Sequence, residues 1–203
     1  MTQNKPYIVG LTGGIACGKS NVSDALRKHG AVVIDADEIS RSLTAADGAA
    51  LPAIRARFGG GVFDGETLNR AKLSEAVFGN PGELAALNGI MHPLVFLEME
   101  QQMLTHKKSP ALILDVPLLY ETGFDKRCDE VWCVWAPHDS QLKRLIQRGL
   151  GMDNALKRIM SQMPAVQKAK QADHVLITTG TKQDTANAAV RIWDDLLRRL
   201  RIG

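Results

Sequence analysis

The chain has 203 residues, of which 45% are hydrophobic, 23% charged and 5% aromatic. That suits one α/β domain with small insertions. A net charge of +3, with no Lys/Arg-rich block carrying interleaved aromatics, is compatible with anionic substrates but makes no case for a nucleic-acid partner.

Residues 7–11 form a short apolar run that breaks into the glycine loop Gly13-Gly14-Ile15-Ala16-Cys17-Gly18-Lys19-Ser20. The loop fits G-x-x-x-x-G-K-[ST], the phosphate-binding P-loop. Such a loop turns backbone N–H groups inward around nucleotide phosphates. Lys19 is expected to reach the β- and γ-phosphates, and the Ser20 hydroxyl to ligate Mg²⁺. Residues 19–29 carry Val22, Ala25 and Leu26 at helical spacing and end near Gly30. Cys17 is either a thiol activated by the helix N-terminus or a small residue that fits, and we read it as the latter.

The next apolar run, 31–34, ends in Asp35-Ala36-Asp37. Ligands of open α/β sheets bind outside the carboxyl ends of the strands. One of these carboxylates can therefore take the proton of an acceptor hydroxyl. We assign that role to Asp35 and leave Asp37 to cap a helix over 38–46. About 76 residues separate this strand from the next, far more than one crossover needs. Within them 49–58 and 70–78 read as helices and Gly59-Gly60-Gly61 as a turn. Asn80-Pro81 opens a further helix with Asn80 as cap, and Pro93 is expected to break or kink it near His92.

The run 111–114 ends in Asp115-Val116-Pro117. An Asp at this place fits a Walker-B carboxylate, which supports Mg²⁺ through water or through Ser20 rather than by direct contact. After the run 131–135, residues 140–148 read as a helix with Arg144 and Arg148 at its end. Asp153 can cap another helix that places Arg158 and Gln162 on one face, followed by Pro164, Lys168 and Lys170. A basic hairpin here would make a lid over transferring phosphates. A last strand, 174–178, precedes an amphipathic helix over 182–200, capped by Thr181 with Asp184 and packed through Ala189, Trp193 and Leu196.

Strands alternating with helices predict an α/β, three-layer P-loop NTPase fold with a five-stranded parallel sheet. We expect a single P-loop kinase domain over 1–203, with its core at about 1–48, 108–143 and 172–203, an acceptor-binding helical insertion at about 49–107 and a lid at about 144–171. The GTPase signature Asn-Lys-x-Asp is missing, and a motor would lack room for its coupling elements. A small ATP-dependent metabolite kinase using Mg²⁺ fits best. Cys17, Cys128 and Cys133 have neither paired nor metal-ligand spacing, no signal peptide opens the chain, and no apolar run approaches ~18 residues. We expect a cytoplasmic protein with no membrane contact, a monomer or weak homo-oligomer.

Several motifs together resemble the dephospho-coenzyme A kinase family. They are the loop into Gly18-Lys19-Ser20, Asp35-Ala36-Asp37 with Arg41, Met91-His92-Pro93-Leu94, Asp115-Val116-Pro117-Leu118-Leu119-Tyr120-Glu121, Arg144 leading to Arg148, and Arg158 through Gln162 to Lys168. The resemblance implies ATP-dependent phosphorylation of the ribose 3′-hydroxyl of dephospho-coenzyme A, the final step of coenzyme A synthesis. It implies that Asp35 is the base, that Arg41, His92, Leu118 and Glu121 lie on the acceptor side, and that Arg148 is the lid arginine. The chain departs from the family pattern at Ala16-Cys17, where Gly-Ser is usual, at Gly149, which replaces an Asp, and at Thr178-Thr179-Gly180, where an Asn before Gly is common.

Overall fold

A computed structural model describes residues 5–202. The chain divides into two compact units, one made of the residues up to Ile34 and from His106 onward, the other of Asp35–Thr105.

The first unit is built on strands β1 (Tyr7–Gly13), β2 (Val33–Asp35), β5 (Ala111–Asp115), β6 (Glu130–Trp135) and β7 (His174–Ile177), with β3 and β4 lying in the other unit. They form a five-stranded parallel sheet in the order β2-β5-β1-β6-β7. β1 lies in the middle, with Tyr7 opposite Ala111 and Val9 opposite Glu130. A strand covered on both faces has no polar side, which is why these strands read as apolar runs rather than alternations. Alternation along β1 sends Val9 and Leu11 to one face, where they pack with Val22 and Leu26 of α1 (Lys19–Lys28) and with Ala189 and Trp193 of α9 (Lys182–Ile202). On the other face Leu119 and Cys128 close over Gly10, and Thr12 Oγ1 donates to Pro117 O at 3.0 Å. The remaining helices of this unit are α6 (His138–Gln147), α7 (Met152–Met160) and α8 (Ala165–Gln171). Thr181 and Asp184 cap α9 reciprocally, as expected, with Thr181 N and Oγ1 donating to Asp184 Oδ2 and Asp184 N donating to Thr181 Oγ1.

Two readings of this unit need correction. Asp153 does not cap α7, because the helix starts at Met152 with Gly151 as its N-cap and Asp153 inside the first turn, where a carboxylate favours the helix dipole. α7 also ends at Met160, so Gln162 lies beyond it and shares no helical face with Arg158.

The second unit holds α2 (Ala36–Leu43), α3 (Leu51–Phe58), the hairpin of β3 (Phe63–Asp64) and β4 (Thr67–Leu68), α4 (Arg70–Val77) and α5 (Pro81–Thr105). Its interior is Ile39, Ile54, Val62, Phe63, Leu68, Leu73, Met91, Val95 and Met99. Asn80 caps α5 through its side chain, which accepts from the backbone of Gly82 and Glu83. The helix runs unbroken past Pro93. Pro93 has no N–H for the carbonyl of Gly89, but both residues are exposed, so water can take that carbonyl. Burial of Met91, Val95 and Met99 along one stripe favours continuation. α2 is capped by Asp35, not Asp37: Asp35 Oδ1 accepts from Asp37 N at 2.8 Å and Glu38 N at 3.0 Å. The helix starts two residues earlier than the 38–46 reading requires, which leaves Asp37 in its first turn.

Candidate active site

β1 delivers the chain into the phosphate loop, and α1 begins at Lys19. Gly13 lies against β6, where a Cβ would come within 2.5 Å of Val134 O, so no larger residue fits. Gly18 takes φ +93°, the left-handed region that glycine enters without strain. Ala16 also sits there, at φ +58°, which for a residue with a Cβ costs roughly 1–2 kcal/mol. The strain is held by packing: Ala16 is buried with Leu145 of α6 and Ala155 of α7.

Lys19 Nζ pairs with Asp115 Oδ1 at the end of β5. The carboxylate is 1% exposed and the lysine side chain 14%. A buried charge demands a partner, and here the two charges meet at the place where phosphates would bring their own. Ser20 is exposed on the first turn of α1. Cys17 is fully buried, and burial pushes its thiol above the ordinary range; Cys128 and Cys133 are pushed up to about 12. These thiols stay protonated, and Cys17 fills space as the loop requires.

Beside the loop lies a cleft of about 340 Å³ lined by Ala16, Gly18, Arg144, Arg148, Thr178 and Gly180, among others. Arg144 and Arg148, one helical turn apart, are used differently. Arg144 turns onto the loop, donating to Ala16 O and to Thr178. Arg148, the last residue around the end of α6, is exposed, and its guanidinium makes no hydrogen bond or ion pair among the described residues.

The segment after α7 is also tied to the loop. Gln162 Oε1 accepts from Ile15 N at 3.2 Å, and the next residue, Met163, donates its N–H to Glu121 Oε1 at 2.9 Å. Lys168 is fully buried on α8; its Nζ donates to Pro117 O at 2.6 Å and pairs with Glu121 at 2.8 Å. The reading of Lys168 as a charge of the lid surface is thereby corrected: an ammonium taken out of water needs fixed partners, and Glu121 supplies one. Leu118 is half-buried in the same connection and its carbonyl accepts from Thr122. Two residues further on, the Tyr120 hydroxyl is buried with no hydrogen-bond partner among the described residues, and burial pushes its pKa up. An unsatisfied buried hydroxyl costs stability, so Tyr120→Phe is expected to raise it by about 1 kcal/mol, read as a higher urea midpoint at unchanged slope.

In the second unit Asp35 and Arg41 lie at opposite ends of α2. Arg41 is exposed, and its carbonyl accepts from Arg70. His92 stacks on Phe96 with ring centroids 5.9 Å apart, and burial pushes its pKa down, which keeps it neutral at pH 7. Thus Lys19 and Asp115 meet directly, and Arg148 joins Ala16 and Gly18 around one cleft. The sequence marked Thr178 only as a departure from the family pattern and missed its contact with the loop, which a single hydroxyl at the exit of a strand makes outside any spacing rule.

Residues 7–184 match the family model described as dephospho-CoA kinase. The chain belongs to the dephospho-CoA kinase family. It is 43% identical over 191 residues to a dephospho-CoA kinase of Symbiobacterium thermophilum, covering 92% of this chain and 80% of that one. The corresponding protein of Geobacillus kaustophilus is 41% identical over 196 residues, with 93% and 97% covered. Among solved structures it resembles TT1252 from Thermus thermophilus, at 33% identity and a TM-score of 0.82 with 95% and 98% covered. It also resembles a dephospho-CoA kinase from Campylobacter jejuni, at 25% identity and a TM-score of 0.65 with 94% and 97% covered. The dephospho-CoA kinase match spans both the loop and the helical unit that follows Asp35.

Proposed function

We propose that the chain transfers the γ-phosphoryl group of ATP to the ribose 3′-hydroxyl of dephospho-coenzyme A, releasing coenzyme A and ADP. What carries the reading is the family match over residues 7–184, running through a loop whose Lys19 is compensated by a buried Asp115. In this reading Gly13, Gly14, Ile15, Ala16, Cys17, Gly18, Lys19 and Ser20 form the ATP cradle. When phosphates arrive, Lys19 exchanges Asp115 for the β- and γ-oxygens. The donor set fits a hard divalent cation that takes most of its oxygen ligands from nucleotide and water. Ser20 would hold Mg²⁺ and Asp115 would support it; bound there, the ion neutralises charge on the phosphates.

Asp35 takes the proton of the 3′-hydroxyl as its oxygen attacks Pγ and the bond to ADP breaks. Arg41, His92, Leu118 and Glu121 serve the acceptor side, Glu121 while also holding Met163 and Lys168. The helices at about 49–107 hold the acceptor, and the segment at about 144–171 acts as a lid on the core. Arg148, without a hydrogen-bond or ion-pair partner among the described residues, stabilises the charge of the transferring group from the edge of the cleft. Arg148→Ala is expected to lower kcat by up to ~10³-fold. A rise in KM for ATP alone would make it a ground-state binding residue. No described helix is long and apolar enough to cross a membrane. We place the protein in the cytoplasm, as a monomer or weak homo-oligomer with no nucleic-acid partner.

The deciding experiment measures ADP release from ATP and Mg²⁺ with and without dephospho-coenzyme A. Release that requires the acceptor supports the reading; release at the same rate without it, or none at all, overturns it.

A further inference from the structure

The described peptide bonds are all trans. A trans peptide plane points its C=O and its N–H in opposite directions. Whatever fixes a loop carbonyl therefore aims the next residue's amide. Two carbonyls of the phosphate loop are fixed by side chains far away in sequence. Thr178 Oγ1 donates to Cys17 O at 2.7 Å, and Arg144 Nη1 donates to Ala16 O at 3.0 Å.

The consequences differ. Fixing Ala16 O sends Cys17 N–H toward Gly14 O, where it bonds at 3.1 Å and closes the turn. Fixing Cys17 O sends Gly18 N–H the other way. Gly18, Lys19 and Ser20 have no hydrogen-bond acceptor for their N–H groups among the described residues. Three adjacent donors are left to an outside anion.

Thr178 is suited to this task by its own surroundings. It is 6% exposed, and its N–H continues the sheet ladder to Trp135 O at 3.0 Å. Arg144 donates to its hydroxyl oxygen at 3.0 Å and to its carbonyl at 2.5 Å. A hydroxyl has one proton and can accept as well. With Arg144 occupying the acceptor side, the proton is directed to Cys17 O; the alternative acceptor, Trp135 O, is further away at 3.4 Å.

We propose that Thr178, held by Arg144, is a positioning residue for the pyrophosphate part of the nucleotide: it aims the Gly18 amide and sets the loop before any ligand binds. The inference deepens the ATP-site reading and rests on it.

The test titrates ADP and inorganic pyrophosphate calorimetrically into the wild-type chain, Thr178→Val and Thr178→Ser. Loss of the Cys17 tie is expected to weaken both ligands by about tenfold in Thr178→Val, with Thr178→Ser close to wild type. A purely structural disturbance of the cleft would weaken ADP and spare pyrophosphate. Unchanged pyrophosphate binding in Thr178→Val, or a serine variant as weak as the valine one, overturns the proposal. If Thr178→Val does not fold, Arg144→Met carries the same comparison with the same expected loss. A wild-type chain that binds neither ligand overturns the nucleotide-site reading itself, whereas binding that the variants leave untouched overturns only the role of Thr178.

Discussion

Lys19→Met is expected to abolish turnover and to destabilise the protein at the same time. The first effect follows from losing the cation that stabilises charge on the β- and γ-phosphates. The second follows from Asp115, which is 1% exposed and gives up its ammonium partner in the variant. Removing one member of a buried pair costs on the order of 3 kcal/mol, because the other charge remains out of water. The two effects separate in the double variant Lys19→Met/Asp115→Asn. Chemical denaturation should show most of the stability regained, since the buried charge has gone, while turnover stays absent. A single variant as stable as wild type would mean that water or other groups already solvate Asp115.

The second large effect concerns Asp35, which caps α2 in the structure and is the base in the proposed reaction. As the proposed base it removes a proton, and as the N-cap of α2 it holds the amides of Asp37 and Glu38. Asn caps a helix as well as Asp but cannot act as a base. Asp35→Asn is therefore expected to lower kcat by roughly 10²–10⁴, with the melting temperature and ADP affinity near wild type. Asp35→Ala should lose the cap too, about 1 kcal/mol of stability. Near-normal kcat in the asparagine variant would move the base elsewhere. An equal stability loss in both variants would mean that the charge, not the cap, holds the start of α2.

These outcomes depend on features that the sequence discloses unequally. The sheet was legible because buried parallel strands are uniformly apolar, and the loop because its glycines and Lys19-Ser20 have a fixed spacing. The β3–β4 hairpin was not, since strands of two residues carry no period. Pro93 read as a break or a kink, and the break is absent because the proline lies on the exposed side of α5, which local rules ignore. Asp35 and Asp37 both suit a cap, and only the phase of α2 decides between them. The deeper misses are non-local. Lys168 is an ordinary surface lysine until the fold brings Glu121 and Pro117 to it. Gln162 and Thr178 reach the loop across 147 and 161 residues, and no window along the chain connects such positions.

That distance also sets an order of events. β1 and its glycine loop belong to the first residues of the chain, yet their sheet neighbours begin at Ala111 and Glu130, and the clamp on Cys17 waits for Thr178. On a chain emerging from its N-terminus, the nucleotide motif is complete long before anything holds it in shape. A fragment ending before β7 would carry every residue of the motif and lack the hydroxyl that aims its amides. In the proposed reading, full affinity for the nucleotide therefore develops only after β7 has joined the sheet.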